Sequence, residues 1–194
     1  MSFPNSSHPA SPVPPFEVSL HRLDGAQALA CVEALTDVLI DCVEGGASVS
    51  FMRPLTRERA GAFWRKVAES VARGERALLV ARRDAPGTPG DGDIVGTVQL
   101  ILDLPENQPH RADVAKMLVH RCARRQGVAQ RLMSAIDDVA RSEGRHVLVL
   151  DTVTGGDAER LYRRSGWHRA GDVPKFALMP DGAFCATTFY YKHL

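Results

Sequence analysis

Residues 124–129, with the sequence RRQGVA, combine side chains and a spacing that suit the binding of an anion. They precede an amphipathic helix, whose first backbone N–H groups lack partners and favour a nearby negative charge by about 0.3–1 kcal/mol. Gly127 would let the backbone approach that anion without a Cβ in the way. An RxxGxA pattern alone is weakly specific, so an ordinary basic turn is the alternative interpretation.

Positive charge is concentrated around this segment. Between His120 and Arg131 the chain has Arg121, Arg124, Arg125 and Arg131 but no carboxylate. The whole chain, by contrast, has 24 Lys and Arg against 23 Asp and Glu, which argues against a nucleic-acid or anionic-membrane partner. The segment lacks the GxxxxGK[ST] and GxGxxG motifs, which argues against the usual modes of binding nucleoside triphosphates and dinucleotides.

Two carboxylates are predicted to lie near this segment and could act as bases. Asp113 begins the strand that leads into the basic segment, and Asp151 ends the strand that follows the amphipathic helix. Ligand crevices of α/β sheets lie outside the carboxyl ends of strands, which favours Asp151. Each aspartate also has a structural interpretation, since Asp151 could cap a turn and Asp113 could be a solvated strand residue.

Hydrophobic periodicity predicts the elements that would position these groups. The expected order is βααβββαβαββ, in an α/β (α+β) fold with a mixed central sheet of about seven strands and helices on both faces. The strands at 113–119 and 147–150 should be parallel neighbours joined by a crossover helix, whereas those at 77–81 and 94–102 should pair antiparallel. The other strands are expected near 16–20, 168–178 and 183–191, and the helices near 29–43, 57–73, 128–143 and 158–164.

The composition predicts one domain, because 194 residues are enough for a single sizeable core. Residues 1–15 contain five prolines and four serines, which is typical of a flexible tail, and residues 16–194 are expected to form the domain. The four cysteines lack CxxC pairs, so reduced thiols are favoured over disulfides and no metal site is expected. No segment is apolar enough for a signal sequence or a membrane span, so a cytoplasmic protein without a membrane partner is expected.

The element order, together with the segments MLVHRCARRQGVAQRLM and AERLYRRSGW, resembles the GCN5-related N-acetyltransferase (GNAT) superfamily over about residues 16–194. In that family the pattern [QR]xxGx[GA] holds the pyrophosphate of acetyl-CoA, and Arg124, Gly127 and Ala129 match it. The resemblance implies an acetyl-CoA-dependent N-acetyltransferase that transfers the acetyl group directly to an amine in a ternary complex.

The resemblance also implies where the cofactor binds. The backbone of the preceding strand would pair with the pantetheine arm as though the arm were an added strand, and N–H groups of the basic turn would bind the pyrophosphate. The family often has asparagine where this chain has Gly155, and that asparagine makes a polar contact to the cofactor arm. Gly155 has no side chain to make this contact, so the contact is not expected here. The cofactor-binding residues implied are Met117, Leu118, Val119, Arg124, Arg125, Gln126, Gly127, Val128, Ala129, Gln130, Asp157 and Tyr162.

Acetyl transfer needs a base, because freeing the lone pair of an amine with a lysine-like pKa costs roughly 4–5 kcal/mol at neutral pH. A positioned base contributes on the order of 10²–10⁴ in rate, and either Asp113 or Asp151 could serve. Tyr162 matches the family tyrosine in an LYxxxG[FW] setting that protonates the leaving thiolate; its structural interpretation is a packed aromatic residue. The acceptor pocket is expected to be lined by Phe51, Met52, Phe176 and Phe189.

The segments HRADVAKMLVH, VLVLDT, GDAERLYRRSGW and PDG followed by TTFYYK resemble the tabtoxin-resistance-type branch of the family. That branch acetylates a β-lactam amino-acid toxin, which implies a small-molecule amine as the acceptor. A non-catalytic acyl-CoA-binding domain and a protein N-acetyltransferase are the alternatives, and a homodimer is left open.

Overall fold

The computed structural model describes residues 17–84 and 92–194. The predicted tail at 1–15 and most of the connection between the second and third strands lie outside the described residues. The elements are β1 (Val18–Leu23), α1 (Gly25–Ala30), α2 (Val32–Glu44), α3 (Arg57–Ala72), β2 (Arg76–Arg83), β3 (Ile94–Ile101), β4 (Arg111–Val119), α4 (Val128–Ser142), β5 (Val147–Val153), α5 (Asp157–Arg164), β6 (His168–Leu178) and β7 (Phe184–His193).

The strands form one mixed seven-stranded sheet in the order β1-β2-β3-β4-β5-β7-β6. The β4–β5 pair is parallel, and the other neighbouring pairs are antiparallel. The mixed sheet, the antiparallel β2–β3 pair and the parallel β4–β5 pair confirm the predictions made from the sequence.

The parallel pair separates after a short stretch, and this separation creates the central gap of the molecule. Strands β4 and β5 are joined only at Arg111–Val147, Ala112–Leu148 and Asp113–Val149. Beyond these pairs, β4 continues to Val119 on the edge of β3, while β5 continues to Val153 on the edge of β7. A wedge therefore opens between residues 114–119 and 150–153.

Helices cover both faces of the sheet, as predicted. Leu132, Met133 and Ile136 of α4 pack in one apolar cluster with Leu100 and Leu148. On the opposite face, a second cluster joins α1–α3 to the sheet through Leu35, Leu39, Trp64, Leu78 and Val80. Each fully buried side chain of this kind contributes roughly 1.5–3 kcal/mol by leaving water, so the two clusters hold α4 and α1–α3 firmly against the sheet.

The single helix predicted near 29–43 is two helices in the structure. Asp24 and Gln27 form a reciprocal capping box that starts α1 at Gly25, well before the predicted start. Cys31 then ends α1 and begins α2, with φ −92° and ψ 5°. Leu29, expected on the buried stripe, is 55% exposed as a result of this break.

Candidate active site

A cleft of about 830 Å³ lies at the wedge between β4 and β5. The loop after α2 and the hairpin formed by β6 and β7 extend its walls beyond the sheet. The cleft is lined by residues 45–52, 114–117, 151–153, 156–158 and 176–179, with Arg124, Tyr162 and Thr187.

The turn before α4 has the geometry of an anion cradle. Gly127 is the N-cap of α4 with φ +79°, and no side chain caps the helix. A Cβ built on Gly127 meets no atom within 4 Å, so the space in front of this turn is open. Because α4 is anchored by Val128 and Leu132 in the core, its free N–H groups point towards one fixed place.

The arginines of the turn differ in their partners. The guanidinium of Arg121 and its backbone N–H both donate to Asp41 of α2, at 2.7 and 2.8 Å. Burial pushes the pKa of Asp41 up, but these hydrogen bonds and nearby His120 outweigh it and leave the pKa below its usual value. Arg121 is thus neutralised by a carboxylate distant in sequence, whereas Arg124 lines the cleft.

The exposed edge of β4 faces the wedge. Among the described residues, no strand pairs with this edge beyond Asp113. The carbonyl of Val119 accepts from Arg124 Nε at 3.2 Å and from the Cys42 thiol at 3.5 Å, which ties the basic turn to the strand. Met117 lines the cleft, while the side chain of Leu118 is buried on the α1–α3 side.

Tyr162 lines the cleft and is 6% exposed. Its ring packs against Trp167 and Tyr190, with centroids 6.1 and 5.8 Å away. Among the described residues, none forms a hydrogen bond with the Tyr162 side chain. Burial, followed by the charges of Asp151 and Tyr190, raises the pKa of Tyr162 to about 12.

The two candidate bases have different surroundings. Asp151 lines the cleft. Partial burial raises the pKa of its carboxyl; the positive charge of Lys116 lowers this pKa, and the negative charge of Asp113 raises it further. Asp113 is not among the residues that line the cleft, and it forms an ion pair with Arg111. Asp151 and Tyr162 thus line the same cleft, whereas Asp113 lies opposite Val149 at the end of the β4–β5 pairing.

Lys116 is a cleft residue that the sequence reasoning did not single out. It sits in a β-bulge, where Gln99 pairs with Ala115 but Thr97 pairs with Leu118. Its φ is +50°, in the left-handed region that non-glycine residues rarely adopt. The only sequence signal was a lysine within the otherwise mostly apolar strand DVAKMLV.

Most of the residues expected at the acceptor pocket lie together. Phe51, Met52 and Phe176 line the cleft. Phe189 does not; it packs edge-on against Phe176, with centroids 5.5 Å apart. The loop that carries Phe51 is fastened to the hairpin, because Ser48 Oγ donates to the carbonyl of Leu178 at 3.0 Å and the Arg53 N–H to that of Pro180 at 3.0 Å.

The start of α5 is organised by Glu159 rather than by Asp157. Glu159 Oε1 accepts from the Gly155 N–H at 3.0 Å and from Thr188 at 3.1 Å. Asp157 lines the cleft, but its side chain is 80% exposed and pairs with Arg160. Other predicted cofactor contacts, Arg125, Gln126 and Gln130, lie in the basic turn or the first turn of α4.

Within residues 17–84 and 92–194, no group of three or more His, Cys, Asp or Glu side chains could hold a metal ion. All four cysteines are free, as predicted. No helix in these two ranges is both long and apolar enough to cross a membrane.

Comparison with known proteins identifies the family. The profile of the acetyltransferase (GNAT) family matches residues 47–167. An uncharacterized N-acetyltransferase from the hisH-hisA intergenic region of Azospirillum brasilense is 31% identical over 137 residues, which are 70% of this chain and 75% of that protein.

Two solved structures share the fold. A ribosomal-protein-alanine N-acetyltransferase from Brucella melitensis superposes with a TM-score of 0.73 at 22% identity, covering 91% of this chain and 99% of that one. The putative acetyltransferase yncA from Salmonella typhimurium, solved with acetyl-CoA, has a TM-score of 0.73 at 19% identity, covering 92% and 94%. The chain therefore belongs to the acetyltransferase (GNAT) family and is an acetyl-CoA-dependent N-acetyltransferase.

Proposed function

We propose that this enzyme acetylates the primary amine of a small molecule by direct transfer in a ternary complex. The observation that carries the proposal is that Asp151 and Tyr162 line one cleft, which also reaches Arg124 beside the anion cradle. A base, a hydrogen-bond donor to the leaving sulfur and a cofactor-binding turn are groups that favour direct acetyl transfer.

The residues around the wedge fit the cofactor. Gly127 and the uncapped N-terminus of α4 offer N–H donors to a pyrophosphate, with Arg124 and Arg125 adding positive charge. The free edge of β4 at Met117 and Val119 would accept the pantetheine arm, with Leu118 between them, and Val128, Ala129, Gln130 and Asp157 would complete the contacts. Acetyl-CoA bound there supplies an acetyl group already activated as a thioester.

Asp151 is the base that the arrangement favours. Strand residues alternate between faces, and Leu148 and Leu150 of β5 belong to the α4-side core, so Val149 and Asp151 lie on the α1–α3 side. The cradle lies at the start of α4. We propose that the cofactor enters from the α4 side and the amine from the α1–α3 side, where Asp151 accepts its proton directly or through water.

Tyr162 would stabilise the leaving sulfur. An ordinary thiol has a pKa of about 8.5, so complete proton transfer from a phenol with a pKa of about 12 to a free thiolate is unfavourable by roughly 5 kcal/mol. The hydroxyl therefore acts mainly by donating a hydrogen bond to the sulfur while negative charge develops on it. A donor of this kind contributes about 10²–10³ in kcat.

An amino-acid-like amine is the acceptor class that we propose, with a tabtoxin-like β-lactam as the first candidate. The support is the resemblance of the C-terminal segments to the tabtoxin-resistance-type branch, together with aromatic side chains, Phe51 and Phe176, in the cleft wall. Ser48 and Arg53 fasten the loop to the hairpin beside the cleft. This arrangement favours a compact acceptor over a protein such as the one in the name of the ribosomal-protein-alanine N-acetyltransferase from Brucella melitensis.

A homodimer and a cytoplasmic location are also part of the proposal. Val173, Phe176, Leu178 and Phe184 are exposed apolar side chains on the β6–β7 hairpin, and Phe184 is 70% exposed. An interface between two copies would cover them. Sedimentation of the purified protein tests the dimer.

The function is tested by measuring acetyl-CoA turnover against amino acids, β-lactam amino-acid toxins, polyamines, aminoglycosides and peptides. Turnover concentrated on amino-acid-like amines supports the proposal. Turnover confined to peptides supports a protein N-acetyltransferase. If acetyl-CoA binds tightly but every amine fails, the protein is instead an acyl-CoA-binding domain without catalysis.

A further inference from the structure

Lys116 is a partly buried cation that the acetyl-transfer chemistry does not use. The bulge turns it out of the regular alternation of β4, at a cost of order 1–3 kcal/mol for a non-glycine residue in the left-handed region. Ser50, which Lys116 contacts, also has a positive φ of 75°. Two strained residues thus meet in the wall of the cleft, a pattern typical of functional sites.

The ammonium of Lys116 lacks a counter-charge in direct contact. Its Nζ donates to Ser50 Oγ at 3.1 Å and lies 5.7 Å from the centre of the Phe63 ring. Within the described residues, no carboxylate lies within 4.0 Å of it. An ammonium carries three N–H donors, so the Ser50 contact leaves two of them without a protein partner among these residues.

The surroundings make this unpaired charge costly. Burial lowers the pKa of Lys116, Arg76 lowers it further, and the carboxylate of Asp151 only partly opposes them. A desolvated charge is stabilised by an ion partner, and an anionic group entering the cleft would supply one. Because Lys116 and Asp151 both line the cleft, these two residues present a positive and a negative group to an acceptor.

We infer that Lys116 binds a carboxylate of the acceptor while Asp151 faces the acceptor's amine. This inference rests on the proposed function and narrows it, because the acceptor class becomes compounds that carry a carboxylate close to the primary amine. Lys116 is a specificity-determining residue. The acceptor's carboxylate accepts hydrogen bonds from the two N–H donors of its ammonium that are not used by Ser50.

The test compares amino acids with their decarboxylated amines, which differ only by the carboxylate. The wild type should show a higher kcat/KM for the amino acid of each pair. Lys116→Met keeps most of the length of the side chain without its charge. It should lower this preference by about ten- to a hundredfold, as expected for a lost charged hydrogen bond. Lys116→Arg should keep most of the preference.

Lys66→Met is the matched control, because Lys66 is exposed on α3 and does not line the cleft. It should leave the preference unchanged. If Lys116→Met lowers kcat/KM equally for both members of each pair, or changes neither, the lysine is structural and the inference is wrong.

Calorimetric titration of the same pairs in the presence of CoA separates this inference from the proposed function. A wild type that binds the amino acid no more tightly than its decarboxylated amine overturns the inference, whatever the turnover. Tighter binding of the amino acid that depends on Lys116, without turnover of any amine, would support the carboxylate site and contradict the proposed function alone.

Discussion

Asp113 lies opposite Val149 in the last residue pair that joins β4 to β5. Asp151 is two residues further along β5 and therefore on the same face of the sheet, but beyond the point where the strands separate. The two aspartates share a face, and the charge of Asp113 helps to raise the pKa of Asp151, yet only Asp151 belongs to the cleft wall. Asp113 therefore belongs to the paired part of β4, whereas Asp151 lies beyond the pairing and is the candidate base.

Replacing the two aspartates separately tests this division. Asp151→Asn should lower kcat by about 10²–10⁴, the usual contribution of a positioned base, and should abolish the fall of kcat/KM at acidic pH. Asp113→Asn should cost less than about tenfold, because it removes a partly exposed ion pair worth about 0–1 kcal/mol. A larger loss in Asp113→Asn would transfer the role of base to Asp113.

The raised pKa of Asp151 also predicts a pH effect on stability. The folded chain holds this proton more tightly than the unfolded chain, so the free energy of unfolding falls as the pH rises from about 3.8 through the raised value. Asp151→Asn should therefore raise Tm at pH 7, and the gain should disappear near pH 3. Asp138→Asn, on the exposed side of α4, is the control and should show no such gain. An equal gain at both pH values would contradict this explanation.

Tyr162→Phe should lower kcat by about 10²–10³ without weakening the binding of acetyl-CoA, because the hydroxyl is needed only when charge develops on sulfur. Its pKa of about 12 predicts that no activity change below pH 10 comes from this tyrosine. Steady-state kinetics and calorimetry on the same preparation check both statements. A variant with unchanged kcat would remove Tyr162 from the chemistry.

Gly127→Ala should weaken acetyl-CoA binding by on the order of tenfold, about 1.4 kcal/mol, because a methyl group enters the space in front of the cradle. Because residue 127 has a φ of +79°, the alanine also lowers the free energy of unfolding by about 1–2 kcal/mol. Gly74→Ala is the matched control, since Gly74 has φ +73°, also meets nothing within 4 Å, and lies just after α3. Gly74→Ala should show a similar loss of stability with an unchanged Kd for acetyl-CoA. Equal changes of Kd in the two variants would contradict the proposed role of Gly127 in binding the cofactor.

Local patterns in the sequence indicated several residues of the candidate site. Gly127 was identifiable because a glycine before a helix lets the backbone approach an anion and because it matches the family pattern, and Tyr162 because its spacing from Gly166 and Trp167 matches a family motif. Asp41 was not identifiable as a partner of Arg121, because the contact joins residues 80 positions apart in sequence. The sequence therefore indicated a larger net positive charge around the basic segment than the structure has, because Asp41 neutralises Arg121.

The sequence by itself predicted the order of the strands along the chain, the mixed sheet, the family and the candidate cofactor-binding turn. These features follow from hydrophobic periodicity and from short motifs whose residues are close along the chain. Tertiary structure decided where β4 and β5 separate, how the bulge turns Lys116 into the cleft, and which aspartate lines it. These depend on strand register and twist across the whole sheet, which arise from packing against α4 on one face and α1–α3 on the other.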